Sequence, residues 1–133
     1  MTIPRRSRLT GKTAFSDVFE QATVSSDACF KVLGRQAGQT FARVGLAVSR
    51  QVDRRAVQRN RLKRIVRESF RAHYLSEQSP SDRPLVTADF VVLPRRAAVS
   101  VSNAQLFEQL RRHWQRMDER LLAKSERKEQ TPA

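Results

Sequence analysis

One cysteine in 133 residues, Cys29, leaves no partner for an internal disulfide. Set in an apolar strand, that thiol reads as a small buried hydrophobe. Glycine is scarce, with four residues, and none builds the glycine-rich loop that cradles phosphate in nucleotide-binding enzymes. No apolar run approaches the ~20 residues a membrane helix needs. The opening MTIPRRSRLTG holds no apolar stretch of signal-peptide length. The chain is therefore expected to be intracellular, in the cytoplasm, with no membrane partner. Two histidines, His73 and His113, fall on separate helices and are expected at the surface or at helix ends. With Cys29 alone they make no zinc ligand set, so no metal site is expected in this chain. Acids are few: 13 against 26 Lys and Arg, a formal net charge of +13. They are scattered over Asp17, Glu20, Asp53, Glu68, Asp89 and Glu108, not gathered as a metal-dependent nuclease needs. Asp118 and Glu119 are adjacent, but adjacent helix residues diverge. No catalytic residue is expected here. A balance this basic is wrong for a typical small-molecule enzyme and suits nucleic acid or, second, an anionic membrane surface.

What the chain has in excess is arginine, and residues 49–71 concentrate it in SRQVDRRAVQRNRLKRIVRESFR, where Asp53 and Glu68 are the acids. Projected at ~100° per residue, residues 57–71 put Leu62, Ile65, Val66 and Phe70 on one arc. Asn60, Lys63, Arg64, Arg67 and Arg71 take the opposite arc, with Arg61 at its edge. Such a helix buries the first arc and presents the second to a polyanion. Arg59 projects onto the apolar side, so either the helix begins near it or its side chain snorkels outward. A basic helix face is often merely solvated. Two features argue for a partner. Like charges at i,i+4, such as Arg59/Lys63 and Lys63/Arg67, repel one another. Arginine also dominates, and its planar fork suits phosphate.

Around that segment the patterns alternate. Residues 1–11, with Arg5, Arg6 and Arg8, read as a flexible basic arm, and residues 12–122 as one domain. Residues 12–22 form a short helix with Phe15, Val18, Phe19 and Ala22 on one face; as a pattern, that face is ordinary core. Residues 23–25 suit a short strand, and Ser26-Asp27 a turn. Over 29–35, Phe30 and Val32 point one way and Lys31, Leu33 and Arg35 the other. A loop follows around Gly38. Residues 43–49 carry Val44, Leu46 and Val48 on one face and the small Gly45, Ala47 and Ser49 on the other. Edged by Lys31, Arg35 and Arg50, the small face either admits a single strand of nucleic acid or lies thinly packed under the first helix. The central helix spans 56–75, and a loop covers 77–85. Residues 87–93 form the last strand, in which Phe90, Val91, Val92 and Leu93 are apolar on both faces, as in a covered internal strand. Ser102 and Gln105 have capping-box spacing ahead of a last helix whose core stripe is Phe107, Leu110, Trp114, Met117 and Leu121. From 123 to 133 the tail is polar and expected to be disordered.

The run from Ala56 to Phe70, with its Arg59-Asn60-Arg61 core, Leu62, Lys63-Arg64 and a further Arg67 one turn on, closely resembles the signature of the bacterial ribonuclease P protein family. The resemblance covers about residues 8–120. It implies a two-layer α/β sandwich shared with a ribosomal protein domain: helix, two or three antiparallel strands, helix, strand, helix. It also implies a left-handed βαβ crossover, where the general rule gives a right-handed one. The implied function is that of the protein subunit, which helps remove the 5′ leader of precursor tRNA to generate mature 5′ ends. Its implied partners are one catalytic RNA, in a heterodimer, and the precursor tRNA. The active site and its Mg2+ ions would belong to the RNA and substrate. By this likeness Arg50, Arg59, Asn60, Arg61, Lys63, Arg64 and Arg67 meet the catalytic RNA. Phe15, Phe19, Lys31, Leu33, Arg35 and Ser49 line the leader cleft. Two departures stand out. The family usually has two basic residues where this chain has Arg50 and Gln51, and an aromatic where it has Leu33. Residues alone leave other readings open: a structural ribosomal protein, a stand-alone nuclease, or a DNA-binding protein in which Asn60 reads adenine from the major groove.

Overall fold

Strand alternation and one strand apolar on both faces resolve into a four-stranded sheet in the computed structural model, which describes residues 3–20, 22–36, 41–75 and 87–130, with side chains through residue 124. The loops expected around Gly38 and over 77–85 lie outside these residues. The sheet comprises β1 (Thr23–Ser26), β2 (Phe30–Gln36), β3 (Arg43–Leu46) and β4 (Ala88–Pro94), in the order β1-β2-β4-β3. β2 lies antiparallel to β1 and to β4, with Val32 opposite Val92, whereas β3 pairs with β4 in parallel, Val44 beside Phe90. Successive strands β1, β2 and β3 thus alternate in direction, but β4 is inserted between β2 and β3. Its double-sided hydrophobicity suits that inner place.

The helices are α1 (Lys12–Glu20), α2 (Ala56–Phe70), widened by a π turn at Arg71–Leu75, and α3 (Asn103–Gln130). The main two layers are the sheet and the α2–α3 pair. Phe30, Val32, Phe90 and Val92 point into this core, where they meet Leu62, Ile65, Val66, Leu110, Trp114 and Met117. Gly34 permits the close approach of α3: a Cβ there would collide with the Met117 methyl. Trp114 is fully buried, edge-on to Phe70 and Phe90 at 5.9 and 5.6 Å between centroids, and its indole N–H donates to Ser69 Oγ at 2.8 Å. The opposite face of the sheet holds a smaller cluster beneath α1, built from Leu9, Val18, Leu33 and Val91.

Several expectations are corrected. Residues 3–9 are no free arm. Ile3 and Leu9 are buried, the Leu9 amide donates to the Val44 carbonyl at 2.9 Å, and Arg8 bridges Val44. β3 is an edge strand, and its open carbonyls recruit the passing chain, which also shields the edge. The stripe on α3 starts at Leu106, fully buried, with Phe107 at its margin; the position four residues before Leu110, not three, faces the sheet. α3 continues to Gln130, through a stretch expected to be disordered. Lys, Glu, Arg, Gln and Ala are good helix formers in their own right.

His113 is the largest correction. It is 1 % exposed, pinned between Ser25 Oγ at Nδ1 (2.7 Å) and Asp27 Oδ2 at Nε2 (2.8 Å). A carboxylate only accepts, so Nε2 carries the proton toward Asp27 and the Ser25 hydroxyl donates to Nδ1. Asp27 Oδ1 also accepts the amides of Cys29 and Phe30, each at 2.8 Å. The expected turn at Ser26-Asp27 is thereby tied to α3.

Candidate nucleic-acid interface

α2 begins without a side-chain cap and without an acid in its first turn, and the nearest carboxylate, Asp53, lies just before it and accepts the Arg55 amide. Its apolar arc is buried as the wheel requires. On the outer arc Asn60, Arg64 and Arg67 are exposed and Lys63 half-buried. These four side chains make no hydrogen bond or ion pair among the described residues. With Arg8 and Ile3 from the N-terminal segment they line a groove of about 320 Å³ along the helix.

At the N-terminal end of α2 opens a second, larger cleft of about 1060 Å³. Arg50, Arg54, Arg55, Arg59 and Arg96 line it, with Asp53 as the acid. Asp53 is itself engaged: Arg55 donates to it from Nε (3.1 Å), Nη2 (3.0 Å) and the backbone amide (2.7 Å), which holds its carboxyl below the ordinary carboxylate range. Arg59 snorkels out of the apolar side, one of the two outcomes the wheel allowed, and donates to the Asp53 and Arg54 carbonyls at 3.0 and 2.8 Å. Arg96 donates to the Gln51 carbonyl. Sequence reasoning missed Arg54, Arg55 and Arg96. The first two lie in the run already singled out, but Arg96 is remote in the chain and only folding brings it there.

The expected leader residues do not act alike. Phe15 is half-buried over Gly45, where a Cβ would fall 2.6 Å from its ring. Phe19 is 49 % exposed, and with Lys12, Phe15 and Ser16 it lines a shallow apolar depression. The small face of β3 therefore seats α1, and it does so by letting an aromatic ring come close to the backbone at Gly45. Leu33 is 4 % exposed within the small cluster, so it has no surface to offer a base; alternation alone could not tell an open face from one under a helix. Arg35 donates to the Asp17 carbonyl of α1 at 3.2 Å. Lys31 is half-buried on the same sheet face, and Ser49 is exposed beyond the end of β3, where its Oγ accepts the Gln51 amide at 3.3 Å.

Among the described residues no three of His, Cys, Asp and Glu come together as a metal site. Asp89 takes both arms of Arg43 at 2.6 and 2.5 Å, Glu108 takes Arg111, and Asp118 takes His73 and the Tyr74 hydroxyl, each at 2.7 Å. These engaged acids on a cationic surface do not fit a Mg2+ site. Ser25, His113 and Asp27 have the residue types of a hydrolytic triad, but Ser25 is 1 % exposed and no substrate reaches it. No helix among the described residues is long and apolar enough to cross a membrane.

The model of the family Ribonuclease P matches residues 3–118. The chain is similar to the ribonuclease P protein component of Methylococcus capsulatus, 44 % identical over 111 residues, covering 84 % of this chain and 80 % of that one. It is also similar to the ribonuclease P protein component of Thioalkalivibrio sulfidiphilus, 40 % identical over 114 residues, covering 86 % and 88 %. Among solved structures, the RNase P protein from Thermotoga maritima superposes with a TM-score of 0.58 at 30 % identity, over 74 % of this chain and 89 % of that one. The basic helix, the sheet order and these likenesses agree, and the chain belongs to the ribonuclease P protein family.

Proposed function

We propose that this chain docks on the catalytic RNA of ribonuclease P through α2 and on the 5′ leader of precursor tRNA through the α1 face, as one protein with one RNA in the cytoplasm. The observation that carries the reading is the unspent outer arc of α2: Asn60, Lys63, Arg64 and Arg67 have no side-chain partner among the described residues, though like charges on one helix face repel. A polyanion removes that repulsion and releases counterions. Arg50 and Arg54 extend the positive surface into the cleft at the helix start.

Leader binding rests on the other face of the sheet. Phe19, and the edge of Phe15 that α1 leaves open, offer a stacking surface, and stacking tolerates any base. Lys12 and Lys31 bring positive charge for the backbone. In this reading Mg2+ is held by the RNA and the substrate. The protein's share is to bind, orient and lower the repulsion between two polyanions.

The test is reconstitution. Added to a ribonuclease P RNA at low Mg2+, the protein should raise the rate of cleavage at the mature 5′ end of precursor tRNA, more for substrates with a leader several nucleotides long. Cleavage of precursor by the protein free of RNA, or no stimulation at any ratio, overturns the reading.

A further inference from the structure

Arg61 lies inside the basic run, yet its guanidinium is spent on the protein. Nε donates to Asn103 Oδ1 at 2.8 Å, and one Nη to the Val99 carbonyl at 3.2 Å and Gln58 Oε1 at 3.3 Å. The other Nη donates to the Val101 carbonyl at 2.6 Å. A guanidinium has five N–H donors, and these contacts use four. Three of the acceptors belong to the 3-10 turn Arg96–Ser100, the residue after it, and the first residue of α3. That turn is one wall of the arginine-lined cleft, and residues 50–55 form the other. Arg96 and Arg59 likewise end on main-chain carbonyls of the 50–55 wall. Three arginines thus tie the two walls and α2 together, and Arg50 and Arg54 are left facing the opening.

We propose that Arg61 is a positioning residue: it clamps the Arg96–Ser100 turn against α2 and so sets the width of the cleft, while RNA phosphate is met by Arg50, Arg54 and the outer arc of α2. The proposal rests on the RNA-docking reading of α2 and gives Arg61 a different part in it. Chemistry separates the two parts. A phosphate contact is largely a matter of charge, which lysine keeps. A fork reaching acceptors on Val99, Val101 and Asn103 needs the planar guanidinium, which lysine lacks.

The experiment measures RNA affinity against salt for the full chain with ribonuclease P RNA, together with amide exchange of the RNA-free protein. The Ala98 and Val101 amides, bonded to the Arg95 and Ala98 carbonyls, report on the turn. Arg64→Ala should lower the salt slope by about 0.7–0.9 and leave those amides unchanged. Arg61→Lys should weaken RNA binding about tenfold at an unchanged slope and speed exchange at Ala98 and Val101. Arg61→Gln should keep the wild-type slope as well. Wild-type affinity in Arg61→Lys, or a slope lowered in Arg61→Gln as in Arg64→Ala, overturns the proposal. If Arg64→Ala leaves the slope untouched, the docking reading of α2 fails instead, and the exchange result still judges the clamp. Should the Gln variant not fold, the charge-conserving Lys variant carries the test.

Discussion

A helical turn separates Phe15 from Phe19, and their surroundings divide the work between them. Phe15 lies on Gly45, so its ring contributes both to packing and to any stacking surface, whereas Phe19 projects into water. Phe19→Ala should therefore weaken binding of precursor tRNA by about 1–3 kcal/mol, leave mature tRNA unaffected, and shift stability by less than about 0.5 kcal/mol. Holoenzyme affinities for the two tRNAs, with a thermal melt, check this; an equal loss for both tRNAs refutes a leader contact. Gly45→Ala tests the seat itself. Its methyl would stand 2.6 Å from the Phe15 ring and 3.0 Å from the Leu9 carbonyl. Overpacking of this kind costs about 1–3 kcal/mol, read as a lower urea midpoint, and should impair leader binding as well. An unchanged midpoint would mean that α1 yields freely.

α2 does two jobs at the scale of an element, and the joint with α3 serves the inner one. Its inner arc is bonded to α3 through Ser69, whose hydroxyl accepts the Trp114 indole N–H at 2.8 Å. Ser69→Ala strands a fully buried donor, at a cost of about 1–3 kcal/mol in chemical denaturation. Because the outer arc is untouched, the salt slope of RNA binding should stay at its wild-type value. A lowered slope would show that the arc is not held independently of this joint. The amphipathic period made α2 legible from residues alone, since 3.6-residue spacing is a property of the helix itself. The fate of Arg61 was not legible. A guanidinium at the edge of the wheel reaches solvent or a neighbouring turn equally well, and the choice depends on residues 99–103, which the fold brings to it.

For the molecule as a whole, the pin between α3 and the first hairpin makes stability depend on pH. Burial pushes the His113 imidazole below its ordinary value, against the pull of Asp27 and with the push of Arg116 and Arg120. The hydroxyl of Ser25, which also takes a bond from Arg116 at 3.0 Å, completes its surroundings. The unfolded chain thus takes up the proton first, near pH 6.5. The stability tied to neutral His113 is in full force above that value and is lost as the pH falls through the lower, folded one. Urea unfolding between about pH 7 and about pH 5 should show stability falling, and His113→Gln should flatten that fall. An equal fall in the variant would place its source elsewhere. The packed segment 3–9 matters at the same scale, because it closes the free side of β3 and puts Arg8 beside the α2 groove.

Residue order alone determined what is periodic and local: the basic and apolar arcs of α2, the alternation in β2, the inner character of β4, and the motif that marks the family. Each rests on neighbours within a turn of helix or a pleat of strand. Tertiary structure alone decided what depends on distant partners. It buried Leu33 under α1, drew His113 inside to Ser25 and Asp27, and laid Ile3 and Leu9 along β3. It also set Arg59, Arg61 and Arg96 on main-chain carbonyls of neighbouring segments. Long polar side chains have the reach to choose among several partners, and which partner is near is a property of the assembled fold.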